Sequence, residues 1–489
     1  MVTVPVHDRP ARRSVSGLLG VLTITTMVVA VSPTASAVTV VTPTPTASAV
    51  TVVTPTPTAS AVTVVTPTPT ATLVPTTATS VPYGSNDPDV ANLASFGYVQ
   101  EEYFISGTTS AGSYTTRILV RRPANPKKFS GTIIAESLRS TAIRTMWGLD
   151  RYIMRSGDAY VEIGSNVNGM AIVKNSDPTR YAPVSMPASL NQPPALAGVF
   201  GHVQEIIAQG GMYLKANPAG GPFDGFDVRN VILGGCSEQG LIIRQYMRDT
   251  HPVFRTADGS SVYDGYFPAC VGDWPSQFII VNGVPFANFT PGPIEVPVVN
   301  LVDQVEVDNY PQAGRLYRRP DADSATDKYR VYEVAGAGHG VTPSSAVCAA
   351  GQDPSQFQQQ YVAANALDKL VQWVDKGIAP PHGTPITTAG PSGPIETDAF
   401  GNALGGVRSW QVDVPVATYH TVFAPLFQQL CTWQVPFSTS TLELLYPNRG
   451  KYVSAATVRI QQLAREGWIL RDDTQAAMAD ARGVAATLP

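Results

Sequence analysis

The chain has 489 residues, 44% of them apolar, and a formal charge of −4. That length allows one large domain with insertions or two or three smaller ones, and the apolar share suffices for a large core. A slightly acidic balance without an extended Lys/Arg cluster argues against a nucleic-acid partner, and low charge with many Gly and Pro suggests a loop-rich extracellular protein.

The N-terminus reads as an export signal. Arg9, Arg12 and Arg13 precede an apolar run over residues 15–31, followed by Pro33 and the small-residue site Ala35-Ser36-Ala37. The run is too short for a comfortable membrane span, so the mature chain is expected to have no transmembrane span. Arg12-Arg13 alone does not decide between the Sec and twin-arginine routes. The unit at residues 35–46 then recurs identically at 47–58 and 59–70. Each unit is too short and too rich in Thr and Pro to bury a core, which predicts a disordered, solvated stalk. Because Ala-Ser-Ala is itself repeated, cleavage after Ala37, Ala49 or Ala61 is open, with Ala37 nearest the apolar run. The expected organisation is a signal peptide over residues 1–37, a linker over 38–80 and a catalytic domain over 81–489.

From about Gly97 strand-like and helix-like segments alternate. Residues 98–105 and 114–120 read as an antiparallel opening pair. Residues 132–135, 159–163, 229–233, 296–302 and 329–334 read as short buried strands, and residues 199–214 have helical spacing. This alternation predicts an α/β fold with a mostly parallel sheet and helices on both faces. Functional groups are then expected at the carboxyl ends of the strands. The tail carries an amphipathic helix over residues 357–374, with Trp373 expected in the core.

The strand at 229–233 runs through Gly234-Gly235-Cys236 into Ser237 and a helix. A serine at such a strand-to-helix turn has its hydroxyl clear of the backbone, with the free N–H groups of the helix beside it. An N-cap serine on an ordinary helix is the competing reading. The motif departs from G-x-S-x-G, because the second glycine is Gly240 and a bulky Gln239 stands where a small residue is normal. A serine nucleophile needs a base and the base an orienting carboxylate. Of six histidines, His339 follows a strand through Ala335-Gly-Ala-Gly338, a loop that lets an imidazole reach back over the sheet edge. Asp303, Glu306 and Asp308 lie just past the strand at 296–302. On position alone all three are candidates. In many α/β-hydrolases, which this order of serine, acid and histidine resembles, the acid stands about nine residues beyond a proline that opens the strand, which implies Glu306 from Pro297.

Four cysteines, Cys236, Cys270, Cys348 and Cys431, lie in the exported part. An even number outside the cytoplasm favours disulfides. Cys236 and Cys270 follow segments that become neighbouring strands in one sheet and are expected to pair, which leaves Cys348 for Cys431; buried free thiols are the alternative. No Cys-x-x-Cys or His-Glu-x-x-His pattern indicates a metal site, and no metal or cofactor is expected.

The order serine, acid, histidine is similar to that of α/β-hydrolases. The chain resembles a branch of largely uncharacterised bacterial "alpha/beta hydrolase domain" proteins. The resemblance rests on Glu136-Ser-Leu-Arg139, Gly235-Cys-Ser-Glu-Gln-Gly240, Asp264-Gly-Tyr266, the histidine loop ending at His339, and Gly401-Asn-Ala-Leu-Gly-Gly-Val-Arg408 followed by residues 412–417. It covers residues 90–485 and is weakest around the acid. The resemblance implies an oxyanion hole from the backbone N–H groups of Glu238 and Leu138, with Glu136 as a structural hydrogen-bond acceptor. The expected activity is a secreted or cell-envelope serine hydrolase acting on a small-molecule or polymeric carboxylic ester, with an acyl pocket from residues 164–198 and parts of the tail. The alternatives are an amidase or peptidase with the same residues, and an inactive hydrolase fold serving as a stalked binding module, which Gln239 favours.

Overall fold

The computed structural model describes residues 68–88, 90–187, 202–272, 280–281, 284–285, 292–308, 318–342, 352–390, 393–423 and 430–489. The expected export signal, most of the repeat and Cys348 lie outside these residues, and so does the side chain of Cys431.

Of the first strands, β1 (Thr70–Leu73), β2 (Tyr98–Thr109) and β3 (Gly112–Pro123), the middle one pairs antiparallel with the other two. Then come β4 (Thr132–Ser137), β5 (Ala159–Ile163), β6 (Asn230–Cys236) and β7 (Gly265–Ala269). A separate two-residue hairpin, β8 (Ile280–Val281) and β9 (Val284–Pro285), precedes β10 (Val298–Asp303), β11 (Ala322–Ser324) and β12 (Asp327–Val334). Among the described residues the main sheet has the order β1-β2-β3-β5-β4-β6-β7-β10-β12-β11, and the run from β5 to β12 is parallel throughout. The linker boundary needs correction. Residues 71–74, Ala-Thr-Leu-Val, break the Thr-Pro repeat with apolar and β-prone side chains. Thr70–Leu73 accordingly pairs with β2, with Leu73 opposite Tyr103, and Val74 is buried.

Alternation along the central strands explains why both faces are covered. Ile133, Ala135, Val231 and Leu233 point to one side, where they pack with Val203, Ile206 and Ile207 of α3 (His202–Ala216) and Ile242 and Ile243 of α4 (Glu238–Gln245). Ile134, Ile232 and Val299 point to the other. There they meet Tyr152 and Ile153 of α1 (Asp150–Ser156) and Ala363, Leu367 and Leu370 of α6 (Gln360–Lys376). Trp373 is buried on this face, with the Arg330 guanidinium over its ring. The remaining helices of the main body are α2 (Val167–Ser176), the short α5 (Gln304–Asp308) and α7 (Trp410–Asp413). The C-terminal α8 (Thr439–Leu445), α9 (Arg449–Glu466) and α10 (Thr474–Thr487) close a satellite core around Tyr452, Ile460 and Met478. Among the described residues no helix is long and apolar enough to cross a membrane.

Asp158, at the amino end of β5, is almost completely buried. Ser130 donates to its Oδ1 at 2.6 Å, while Oδ2 is buried without a partner among the described residues. Burial, opposed by the Ser130 hydrogen bond and reinforced by Asp368 and Asp375, pushes its pKa up to about 7. An acid raised in the folded state binds more protons than in the unfolded chain between its ordinary pKa and the raised one. Stability from this group is therefore greatest below about pH 4 and declines as pH rises to about 7. Asp158→Asn should be more stable than the parent at pH 8 by roughly 1–3 kcal/mol, at about 1.4 kcal/mol per pKa unit. The gain should shrink toward pH 4 in denaturant titrations. An equal change at both pH values would refute the linkage.

Candidate active site

The strands β4, β6, β7, β10 and β12 end along one edge of the sheet, and their loops meet there. Ser237 sits between β6 and α4 with φ 65° and ψ −120°. Left-handed backbone at a residue with a side chain is strained and clusters at functional sites. Here it is held on both sides: the Ser237 N–H donates to the Ala269 carbonyl at 3.0 Å, and its carbonyl accepts from Leu241 N at 3.0 Å. The Ser237 side chain caps no N–H of the helix, which sets aside the N-cap reading.

The late glycine and the bulky Gln239 both have a physical reason. A Cβ on Gly235 would lie 2.4 Å from Gln239 Cβ, and one on Gly240 would lie 2.6 Å from the Ala269 carbonyl oxygen. Position 240 is thus the one crowded by the neighbouring strand. The Gln239 side chain leaves the turn into a polar socket, where its Nε2 donates to Glu136 Oε1 at 2.7 Å and to the Ser137 carbonyl at 3.2 Å. Glu136 is fully buried and also accepts from Thr145 N at 2.7 Å, Thr145 Oγ1 at 2.6 Å and the Tyr160 hydroxyl at 2.7 Å. Burial pushes its pKa up to about 7 against these bonds. Glu136 therefore accepts structural hydrogen bonds at the base of the turn, and Gln239 completes that socket.

Cys236 and Cys270 are joined by a disulfide. Cys236 stands beside Ala269 in the β6–β7 register, so Cys270 follows one residue later on the adjacent strand. The bond closes a separation of 34 residues, a constraint contributing about 4 kcal/mol in the chain-entropy account. It ties the residue before Ser237 to the end of β7.

His339 lies in the loop after β12. Its Nδ1 is 2.7 Å from Glu306 Oε1, on a carboxylate that is completely buried in α5. Its Nε2 is buried with no hydrogen-bond partner among the described residues. Two glutamines that no sequence motif marks brace this loop. Gln304 Oε1 accepts from Gly336 N at 2.7 Å, and Gln359 accepts from Gly338 N at 3.0 Å while donating back to the Gly338 and Thr342 carbonyls. The other two candidate acids lie elsewhere. Asp303, the last residue of β10, accepts from Gly340 N at 3.1 Å and leaves Oδ1 buried without a partner among the described residues. Burial and the nearby Glu306 raise its pKa well above the carboxylate range. Burial likewise pushes Asp308 up to about 7. Among the remaining described histidines, His251 contacts the Tyr266 hydroxyl and Glu295, His382 contacts Asp321, and His420 stacks on Trp433. His202 is buried on α3.

Leu138 requires a correction. Its N–H donates to the Ile163 carbonyl at 2.8 Å, because the β4–β5 ladder continues one residue past the strand end. Leu138 is also fully buried, so it has no N–H to offer an oxyanion. The N–H of Arg139, the next residue, has no partner among the described residues. The Glu238 N–H opens α4 directly after Ser237. The Glu238 carboxylate ties the two loops together, accepting from Ser140 N at 3.0 Å and Asn166 Nδ2 at 2.9 Å.

Ser237 and His339 border one cleft of about 520 Å³, within the range of small-molecule sites. Its walls come from residues 83–88, 139–148 and 339–342. No residue of 164–187 lines it, contrary to the expected acyl pocket, and residues 188–198 lie outside the described ones.

A ten-stranded, largely parallel sheet with a serine on the strand-to-helix turn of β6 defines an α/β-hydrolase fold. The chain belongs to the alpha/beta hydrolase domain family, whose model matches residues 64–479. No curated protein matches it. Among solved structures it is similar to a bacterial brefeldin A esterase at 11% identity, covering 52% of this chain and 79% of that one with a TM-score of 0.27. It is similar to a fungal esterase from Rhizomucor miehei at 12% identity, covering 61% and 95% with a TM-score of 0.32. Against a prolyl endopeptidase, at 12% identity and a TM-score of 0.28, the match covers 49% of this chain and spans only 35% of the other.

Proposed function

We propose that this chain is an exported serine hydrolase that cleaves carboxylic esters through Ser237, His339 and Glu306. The observation that carries the reading is the Glu306–His339 contact at 2.7 Å, with the other imidazole nitrogen unpartnered among the described residues and beside the cleft that Ser237 also borders. In this scheme His339 Nε2 takes the Ser237 hydroxyl proton as Oγ attacks the ester carbonyl. The ionised Glu306 stabilises the imidazolium formed. The N–H groups of Glu238 and Arg139 receive the developing oxyanion. Collapse expels the alcohol, which takes the proton from His339, and water then hydrolyses the acyl-serine by the same proton transfers in reverse roles. Only these side chains and backbone groups act in the scheme. Gln239, the one feature that favoured an inactive fold, is accommodated by its socket and leaves the serine turn intact.

The test is labelling by a fluorophosphonate. Protein lacking residues 1–67 should take up one equivalent, with the adduct on Ser237 by peptide mass spectrometry. Folded protein that stays unlabelled would reject the proposal.

A further inference from the structure

The cleft wall carries a guanidinium that no carboxylate among the described residues neutralises. Its lining holds two guanidiniums, Arg139 and Arg144, against the single carboxylate of Asp87. Asp87 is already engaged: Arg144 Nη2 donates to its Oδ1 at 2.7 Å and Arg121 Nη2 to its Oδ2 at 2.7 Å. Arg144 is further paired with Glu162 at 2.7 Å. Arg139 makes no ion pair or side-chain hydrogen bond with any described residue, and its Nε is buried without a partner. The Glu238 carboxylate, which also meets this loop, is held by Ser140 and Asn166 instead. A partly buried guanidinium left without an acceptor is costly, and its planar donor fork matches a carboxylate in two-point contact.

We infer that Arg139 is a specificity-determining residue that receives an anionic group of the substrate, so that the preferred ester carries a second carboxylate. This rests on the hydrolase reading and deepens it. The placement sets the spacing. Arg139 lies two residues past the end of β4, and the scheme above assigns its own N–H to the oxyanion. The guanidinium therefore stands one side-chain length from the scissile carbonyl, which suits a short dicarboxylic half-ester or the ester of a small hydroxy acid. Ile143, Trp147 and Val341 give the lining an apolar surface that accepts the spacer.

The experiment compares each anionic ester with its neutral counterpart. The pairs are 4-nitrophenyl hydrogen glutarate against 4-nitrophenyl methyl glutarate, and the acetate of 4-hydroxybenzoic acid against that of its methyl ester. The ratio of kcat/KM within each pair is the readout. In at least one pair the wild type should favour the anion, and Arg139→Gln should lower that ratio by roughly 10- to 100-fold, the scale of one charge-assisted contact. The loss should fall mainly on KM, Arg139→Lys should restore part of it, and added salt should weaken the wild-type preference. Ratios that Arg139→Gln leaves unchanged in both pairs overturn the inference while the hydrolase reading stands. If neither pair is turned over and Ser237 takes no fluorophosphonate, the hydrolase reading fails. Calorimetric titration of Ser237→Ala with monomethyl glutarate then decides the Arg139 site. Saturable binding that is lost in the Ser237→Ala, Arg139→Gln double variant sustains it, and no binding ends it.

Discussion

Ser237→Ala and His339→Ala should each lower kcat toward an ester by roughly 10⁴–10⁶, the scale for residues that act as one unit. The double variant should cost little more than either single one, because removing the nucleophile leaves the base nothing to activate. The stability of these proteins separates the chemistry from the scaffold. Ser237 holds φ 65° and ψ −120°, and alanine at this position keeps a Cβ and hence the same strain. Ser237→Ala should therefore melt close to the parent. Ser237→Gly should be equally inactive yet more stable by about 1 kcal/mol, since glycine adopts positive φ freely. Steady-state kinetics beside thermal denaturation of the three proteins checks both statements. A Ser237→Ala protein with more than about a hundredth of the parent kcat would exclude Ser237 as the nucleophile.

Much of the fold was legible because its signals are local. Apolar alternation placed the central strands, and the order of Ser237, a carboxylate and His339 along those strands follows from where each strand ends. Pairing of Cys236 with Cys270 followed from two strands being neighbours, which the β6–β7 register bears out. The misreadings share a cause, which is dependence on a partner distant in sequence. Gln239 looked too large for its turn, and only the buried Glu136 and Ser137 show where its amide goes. Leu138 looked free, but one further rung of the ladder to Ile163 consumes its N–H. The cleft wall drew on Tyr83 and Asp87, in a segment with no motif, which is fixed by Arg121 and Arg144 from elsewhere in the chain. Likewise Thr70–Leu73 directly follows the stalk repeat, and only the edge of β2 shows that it is a strand.

The acid is where sequence and structure divide the labour most clearly. Asp303, Glu306 and Asp308 lie within six residues, and which of them faces the imidazole depends on where β10 gives way to α5. The strand runs through Asp303, whose Oδ2 is used by Gly340 N. The helix begins at Gln304, so Glu306 is carried round to His339 Nδ1 at 2.7 Å. Charge separates the candidates further. The group opposite an imidazolium has to be an anion when the proton arrives. Burial and the neighbouring Glu306 raise Asp303 well above its ordinary value, which favours the protonated form. Asparagine is close in shape and charge to that protonated form, and Asp303→Asn should keep kcat/KM within about tenfold of the parent, the scale of one modest contact. Asp308→Asn should behave similarly. Glu306→Gln removes the anion while preserving the volume, and should lower kcat/KM by roughly 10⁴, the cost of losing the orienting carboxylate of such a triad. Kinetics of the three variants, each shown to be folded by circular dichroism, make the comparison. A crippled Asp303→Asn or Asp308→Asn beside an active Glu306→Gln would move the acid to that residue and leave Ser237 and His339 in their roles.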